Sequence, residues 1–167
     1  MTLWLVGMMG SGKSTAGRLA ADSLDVAFFD TDEEVASTVG RQVADIWEEL
    51  GEPSFREMES GAIRRLAGEN AVVSTGGGVV LDHGNRDVMK KSGSVIWLSC
   101  PPKVLASRLE GSSGRPLLDG EPDLAAAIGA VLARRSAAYS EVADFEIDTS
   151  LLSVAEVAAR IEGHWPS

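Results

Sequence analysis

A lysine and a serine that follow three glycines raise the first chemical question in this sequence. The stretch Gly7-Met8-Met9-Gly10-Ser11-Gly12-Lys13-Ser14 satisfies the Walker A pattern GxxxxGK[ST] at every fixed position. Glycines so spaced let the main chain wrap round phosphate oxygens with its amides pointing inward, because no side chain stands in the way. Lys13 is then placed to reach the β- and γ-phosphates of ATP, and the Ser14 hydroxyl to bind Mg²⁺. Gly10, Ser11, Gly12 and Thr15 complete the cradle, at the start of a helix whose N-terminal dipole favours anions.

Two carboxylates come next, in "FFDTDEE", where Asp30 and Asp32 leave the C-terminal end of an expected strand. Ligands of open α/β sheets collect beyond the carboxyl ends of the strands. Strand alternation points residues i and i+2 the same way, so both carboxylates can face one site. One could hold Mg²⁺ through water and the other bind an acceptor hydroxyl; acidic residues capping the next helix are the alternative. A third signal is "VVSTGGGVVL", a strand ending in Gly76, Gly77 and Gly78. Glycine costs up to about 1 kcal/mol in regular structure. Three together suggest close backbone approach to a ligand, with a flexible turn as the competing reading.

Such groups need a scaffold. Five β-rich runs, "TLWLV", "VAFF", "AVVST", "VIWLS" and "FEIDT", alternate with helical patterns, which predicts an α/β fold around a mostly parallel sheet. Their near-continuous apolar character suits strands covered by helices on both faces. The stretch between the second and third runs is too long for one crossover helix, so residues 33–67 are expected to form a helical insertion. Residues 110–123, "EGSSGRPLLDGEPD", read as a loop over a site. In the helix around "LARRSAAY", Leu124, Ile128, Val131, Arg135, Tyr139 and Val142 recur at steps of three and four. Arg135 interrupts this inward stripe and Arg134 is offset from it. An inward arginine needs an anion, either a ligand or a structural carboxylate.

Composition narrows the function classes. The chain has 167 residues, 44% hydrophobic and 24% charged, the balance of one soluble globular domain. Its net charge of −10 opposes long-range attraction to nucleic acid or anionic lipid, so any anionic ligand must be held by local arginines. No apolar run has membrane-helix length and no secretory signal opens the chain, so a cytoplasmic protein is expected. The single cysteine, Cys100, rules out an internal disulfide and reads as a small residue closing a buried strand. His83 and His164 are isolated and expected to face solvent, and Tyr139, Trp4 and Trp97 are expected to pack.

Taken in order, "GMMGSGKST", "FFDTD", "FREME", "STGGG", "GRPLL" and "RRSAAY" make the sequence resemble the shikimate kinases, within the nucleoside monophosphate kinase structural family. The resemblance spans nearly the whole chain. It implies a three-layer P-loop kinase fold with a five-stranded parallel sheet in the order 2-3-1-4-5, an acceptor-binding insertion and a lid. It also implies transfer of the γ-phosphate of ATP to the 3-hydroxyl of shikimate, with Mg²⁺, by one domain acting as a monomer. By the same resemblance Asp32 binds shikimate hydroxyls and serves as base, and Asp30 helps hold the metal through water. Arg56 and an arginine of "RRSAAY", assigned to Arg135, grip the shikimate carboxylate near Gly77 and Gly78. Arg115 reaches the phosphates from the lid and Arg108 lies against adenine. Trp47 and Phe55 are expected in the acceptor pocket, and Glu59 is placed to orient Arg56 by an i,i+3 pair.

Gluconate kinase is the nearest enzymatic rival, as a P-loop enzyme with an anionic polyol acceptor; "FRE", "GGG" and "GRPLL" speak against it. A regulatory GTPase would need an NKxD element, which the sequence lacks. A catalytically silent relative should have lost Lys13, Asp32 or an acceptor arginine, and all are present.

Overall fold

Strand β1 (Thr2–Val6) is buried along its whole length, and its alternating side chains divide the interior in two. Trp4 and Val6 join one apolar cluster, Leu3 and Leu5 the other. This division is how the sheet makes a three-layer structure. The computed structural model describes residues 1–110 and 122–165. Among these, β1, β2 (Ala27–Asp30), β3 (Ala71–Ser74), β4 (Gly93–Ser99) and β5 (Phe145–Asp148) form a parallel sheet in the order β2-β3-β1-β4-β5. That is the order expected from sequence. Between β1 and its neighbours, Leu3 lies beside Val72 of β3 and Ser94 of β4.

Helices α1 (Lys13–Leu24) and α7 (Val154–Glu162) cover one face. Gly17 lets α1 sit close, because a Cβ there would stand 2.6 Å from Leu5 Cδ1. The capping box of Ser153 and Glu156 starts α7. The other face is covered by the end of α3 (Val43–Leu66), by α4 (His83–Ser92) and α5 (Pro102–Leu109), and by α6 (Leu124–Val142). The insertion between β2 and β3 consists of α2 (Thr31–Val39) and α3, with its own small core of Val35, Ile46, Phe55 and Ala62. A break at Gly51 (φ 79, ψ 164), two residues before Pro53, turns α3.

Two expectations need correction. Strand β2 ends at Asp30 and α2 begins at once, so Asp32 sits in the first helical turn and strand alternation does not aim it. His164 is half-buried, stacked on Phe145 with ring centroids 4.0 Å apart, because the chain after α7 folds back over the edge strand β5.

Candidate active site

The loop joining β1 to α1 turns on glycines with positive φ, Gly10 at 80° and Gly12 at 95°, a conformation that L-residues with side chains rarely adopt. Gly12 delivers the chain into α1 without a capping side chain. No capping side chain therefore competes with an anion at the start of this helix. Lys13, 8% exposed, donates from Nζ to the carbonyls of Gly7 (2.9 Å) and Met8 (3.0 Å), which holds its charge at the mouth of the loop. Ser14 Oγ donates to Asp30 Oδ2 at 2.6 Å and lies 3.1 Å from Ser74 Oγ. These hard oxygen donors suit Mg²⁺, which takes few protein ligands and fills its shell with water and phosphate oxygens. No denser group of three or more His, Cys, Asp or Glu side chains suited to a metal occurs among the described residues.

Asp30 does two jobs. While Oδ2 meets Ser14, Oδ1 accepts from the Asp32 amide at 3.0 Å and caps α2. The capping alternative is therefore what Asp30 shows, its contact with Ser14 leaves the metal reading open to it, and the cap turns Asp32 toward the glycine turn. Gly76 N–H donates to Thr31 Oγ1 at 2.9 Å. A Cβ on Gly76 would collide with Glu59 Oε1 and stand 2.8 Å from Asp32 Oδ1. Only glycine leaves room for two carboxylates here. Both of those oxygens are shut off from solvent and lack a hydrogen-bond partner. Burial, with Glu59 and Asp30 nearby, pushes the Asp32 carboxyl up to about 7, against the pull of Lys13 and Arg56. Burial also raises Glu59, opposed by Arg56 and Arg135.

Among the described residues three arginines line the cleft. Arg56 donates from Nη1 to the fully buried Glu59 at 2.8 Å and from Nε and Nη2 to Glu52, and lies 5.5 Å from the ring centres of Trp47 and Phe55. Its guanidinium abuts Gly78. Arg135 is 4% exposed while Arg134 is exposed, as the helical stripe requires, and Arg135 Nη1 approaches Met8 Sδ at 3.9 Å. Gly77 lies against the same guanidinium, with 3.0 Å between Nη1 and the position of a Cβ. Arg108 donates to the carbonyls of Gly10 (3.3 Å) and Thr149 (2.6 Å) and to Thr149 Oγ1 (3.1 Å), tying α5 to the P-loop and to the end of β5. Arg115 lies outside the described residues, as does most of the 110–123 loop.

The P-loop from Met9 onward, Asp30, Asp32, Glu59, the glycine turn and the three arginines border one cleft of about 720 Å³. Its wall also includes Thr149, Leu152, Ser153 and Val154, which sequence reasoning did not single out. Their signal was positional, a loop leaving the carboxyl end of the last strand. A family model described as "Shikimate kinase" matches residues 9–164. The chain belongs to the shikimate kinase family.

Relatives agree along the whole length. The shikimate kinase of Symbiobacterium thermophilum is 43% identical over 164 residues, covering 96% of this chain and 94% of the relative. That of Bacillus mycoides is 38% identical, covering 93% of each. Among solved structures, the shikimate kinase from Acinetobacter baumannii in complex with shikimate superposes with a TM-score of 0.91 at 33% identity, covering 96% of this chain and 89% of that one. A gluconokinase from Sinorhizobium meliloti reaches 0.57 at 18% identity, covering 98% and 90%, a likeness of fold alone. No helix among the described residues is long and apolar enough to cross a membrane.

Proposed function

We propose that the protein transfers the γ-phosphoryl group of ATP to the 3-hydroxyl of shikimate, giving shikimate 3-phosphate and ADP, in the biosynthesis of chorismate and the aromatic amino acids. The observation that carries this reading is the pairing, in one cleft, of a complete P-loop with two arginines beside the Gly77-Gly78 backbone. Buried or half-buried guanidinium groups at the far end of a phosphate site suit a carboxylate on the acceptor. The solved relative with bound shikimate supports that choice.

In this reading the amides of residues 10–15 hold the phosphates, and Lys13 leaves its loop carbonyls to meet the β,γ-bridge. Arg56 and Arg135 grip the shikimate carboxylate, with the Gly77 and Gly78 backbone alongside. The 3-hydroxyl oxygen attacks the γ-phosphorus, the bond to the bridging oxygen breaks, ADP leaves, and the hydroxyl proton passes to Asp32. A carboxyl that titrates at about 7 is matched to that exchange near neutrality. Arg108 and the loop after β5 enclose the adenine of ATP. Arg115 supplies a further cation when the 110–123 loop closes and excludes water. Ser14 and Asp30 would hold Mg²⁺, which neutralises phosphate charge when bound. The chain works as one domain, with residues 33–67 taking the acceptor, and as a cytoplasmic monomer on small molecules; the net charge of −10 disfavours nucleic acid.

An ADP-release assay with shikimate, gluconate or no acceptor tests the proposal. Turnover that depends on shikimate is expected. Preference for gluconate, or ADP release indifferent to acceptor, would refute it.

A further inference from the structure

Tyr139 lies outside the cleft, behind the residues that line it. It is fully buried and its ring stacks on Trp97 at 5.6 Å between centroids. Packing explains the ring and leaves the hydroxyl unexplained, since phenylalanine would fill the same space. That hydroxyl donates to the carbonyl oxygen of Gly77 at 2.6 Å, across 62 residues of sequence. Burial pushes the phenol up to about 12 even with Arg135 beside it, so it keeps its proton and stays a donor.

The geometry of the peptide gives this bond its consequence. No cis peptide occurs among the described residues, and a trans peptide directs its C=O and the following N–H to opposite sides. Anchoring the Gly77 carbonyl toward Tyr139 therefore turns the Gly78 N–H away from α6. The Arg56 guanidinium packs against Gly78, where a Cβ would collide with it. Gly77 has no side chain to fix its own torsions, and it is wedged among Arg135 Nη1, the Gly7 carbonyl and the Tyr139 hydroxyl, at 3.0, 3.4 and 3.6 Å from the position of a Cβ. Main-chain bonds fix the carbonyls on either side, Gly76 O accepting from Val79 N–H and Gly78 O from Leu81 N–H, and the buried phenol holds the Gly77 carbonyl between them.

We infer that Tyr139 is a positioning residue for the acceptor: by holding the Gly77 carbonyl it fixes the Gly77-Gly78 peptide so that the Gly78 N–H meets the molecule gripped by Arg56 and Arg135. The inference rests on the acceptor reading given above. Tyr139 touches neither substrate and acts through the peptide and through Arg135, one helical turn away. Its contribution therefore belongs to shikimate binding and leaves the nucleotide half alone.

Tyr139→Phe keeps the ring and its stack on Trp97 and removes only the donor. The shikimate KM should rise about tenfold, as for the loss of one buried hydrogen bond, while the MgATP KM stays within about twofold. Trp97→Phe, which disturbs the stack and spares the hydroxyl, should lower Tm and leave the shikimate KM within about twofold. Arg135→Lys is the reference, because its shikimate KM must rise if the acceptor reading is right. A rise in Arg135→Lys with none in Tyr139→Phe overturns the inference alone; no rise in either overturns the acceptor reading too. Equal rises of both Michaelis constants in Tyr139→Phe would reduce Tyr139 to packing and also overturn the inference.

Discussion

Around the P-loop the cleft presents main-chain groups from one contiguous stretch, residues 9–14, carried on a strand buried along its whole length. Its opposite half presents charged side chains gathered from α2, α3 and α6 around the glycine turn after β3. In the proposed reading the difference follows from the ligands. Phosphates are alike in all nucleotides and are met by amides that any sequence supplies, provided glycine gives the loop its shape. An acceptor with a carboxylate and hydroxyls needs particular side chains, and their charges must be sustained in a half-dry place. Arg56 is sustained by Glu59 and Glu52. Asp32 and Glu59 instead carry oxygens without partners, an arrangement that costs stability and leaves acceptors poised for a ligand.

The sharpest break in the comparison lies at Lys13. Lys13→Ala should lower kcat by about a thousandfold or more while the far-ultraviolet spectrum stays native, since the lysine's main-chain contacts are with its own loop. A variant with near wild-type kcat would remove the phosphate half from the account. Arg115→Ala should cost less, roughly a hundredfold in kcat, in line with charge-stabilising groups in phosphoryl transfer. Unaltered kcat there would leave residues 110–123 as an ordinary connection.

The carboxylates should separate by metal dependence and by pH. Extra Mg²⁺ should partly restore Asp30→Asn and leave Asp32→Asn unimproved; equal rescue would merge their roles. Asp32 titrates higher in the folded protein, at about 7, than its ordinary 3.8. It therefore binds its proton more tightly when folded. The stability it contributes is complete below its ordinary value and is lost as pH rises through about 7. Asp32→Asn, which escapes this loss, should melt roughly 5 °C above the wild type at pH 8, and the gain should vanish toward pH 4. A gain independent of pH would show that Asp32 is not held in a strained, desolvated state.

The same contrast governs what the sequence reveals. The P-loop was legible because every group lies in one run, and the sheet order followed from the family resemblance that the strand alternation supports. Arg135 was separable from Arg134 because helical periodicity reports burial. Asp32 was read on the wrong element, since one residue decides whether a strand continues or a cap begins, and Asp30 proved to be that cap. The burial of Glu59 and the Tyr139 bond to Gly77 depend on segments that meet only after folding, and no local pattern encodes them. Thr149, Leu152 and Ser153 have ordinary side chains whose importance is purely their place at a strand end.

The most direct test of the division is a calorimetric titration of the wild type and of the double variant Arg56→Lys/Arg135→Lys, with shikimate and separately with ADP. Lysine keeps each charge and loses the bidentate fork. Shikimate binding should weaken by about a hundredfold or more, from two charge-assisted contacts, while the ADP affinity stays within about twofold of the wild type. Shikimate binding that survives the double change, or ADP binding that falls with it, would contradict the claim that side-chain charge reads the acceptor while the backbone holds the nucleotide.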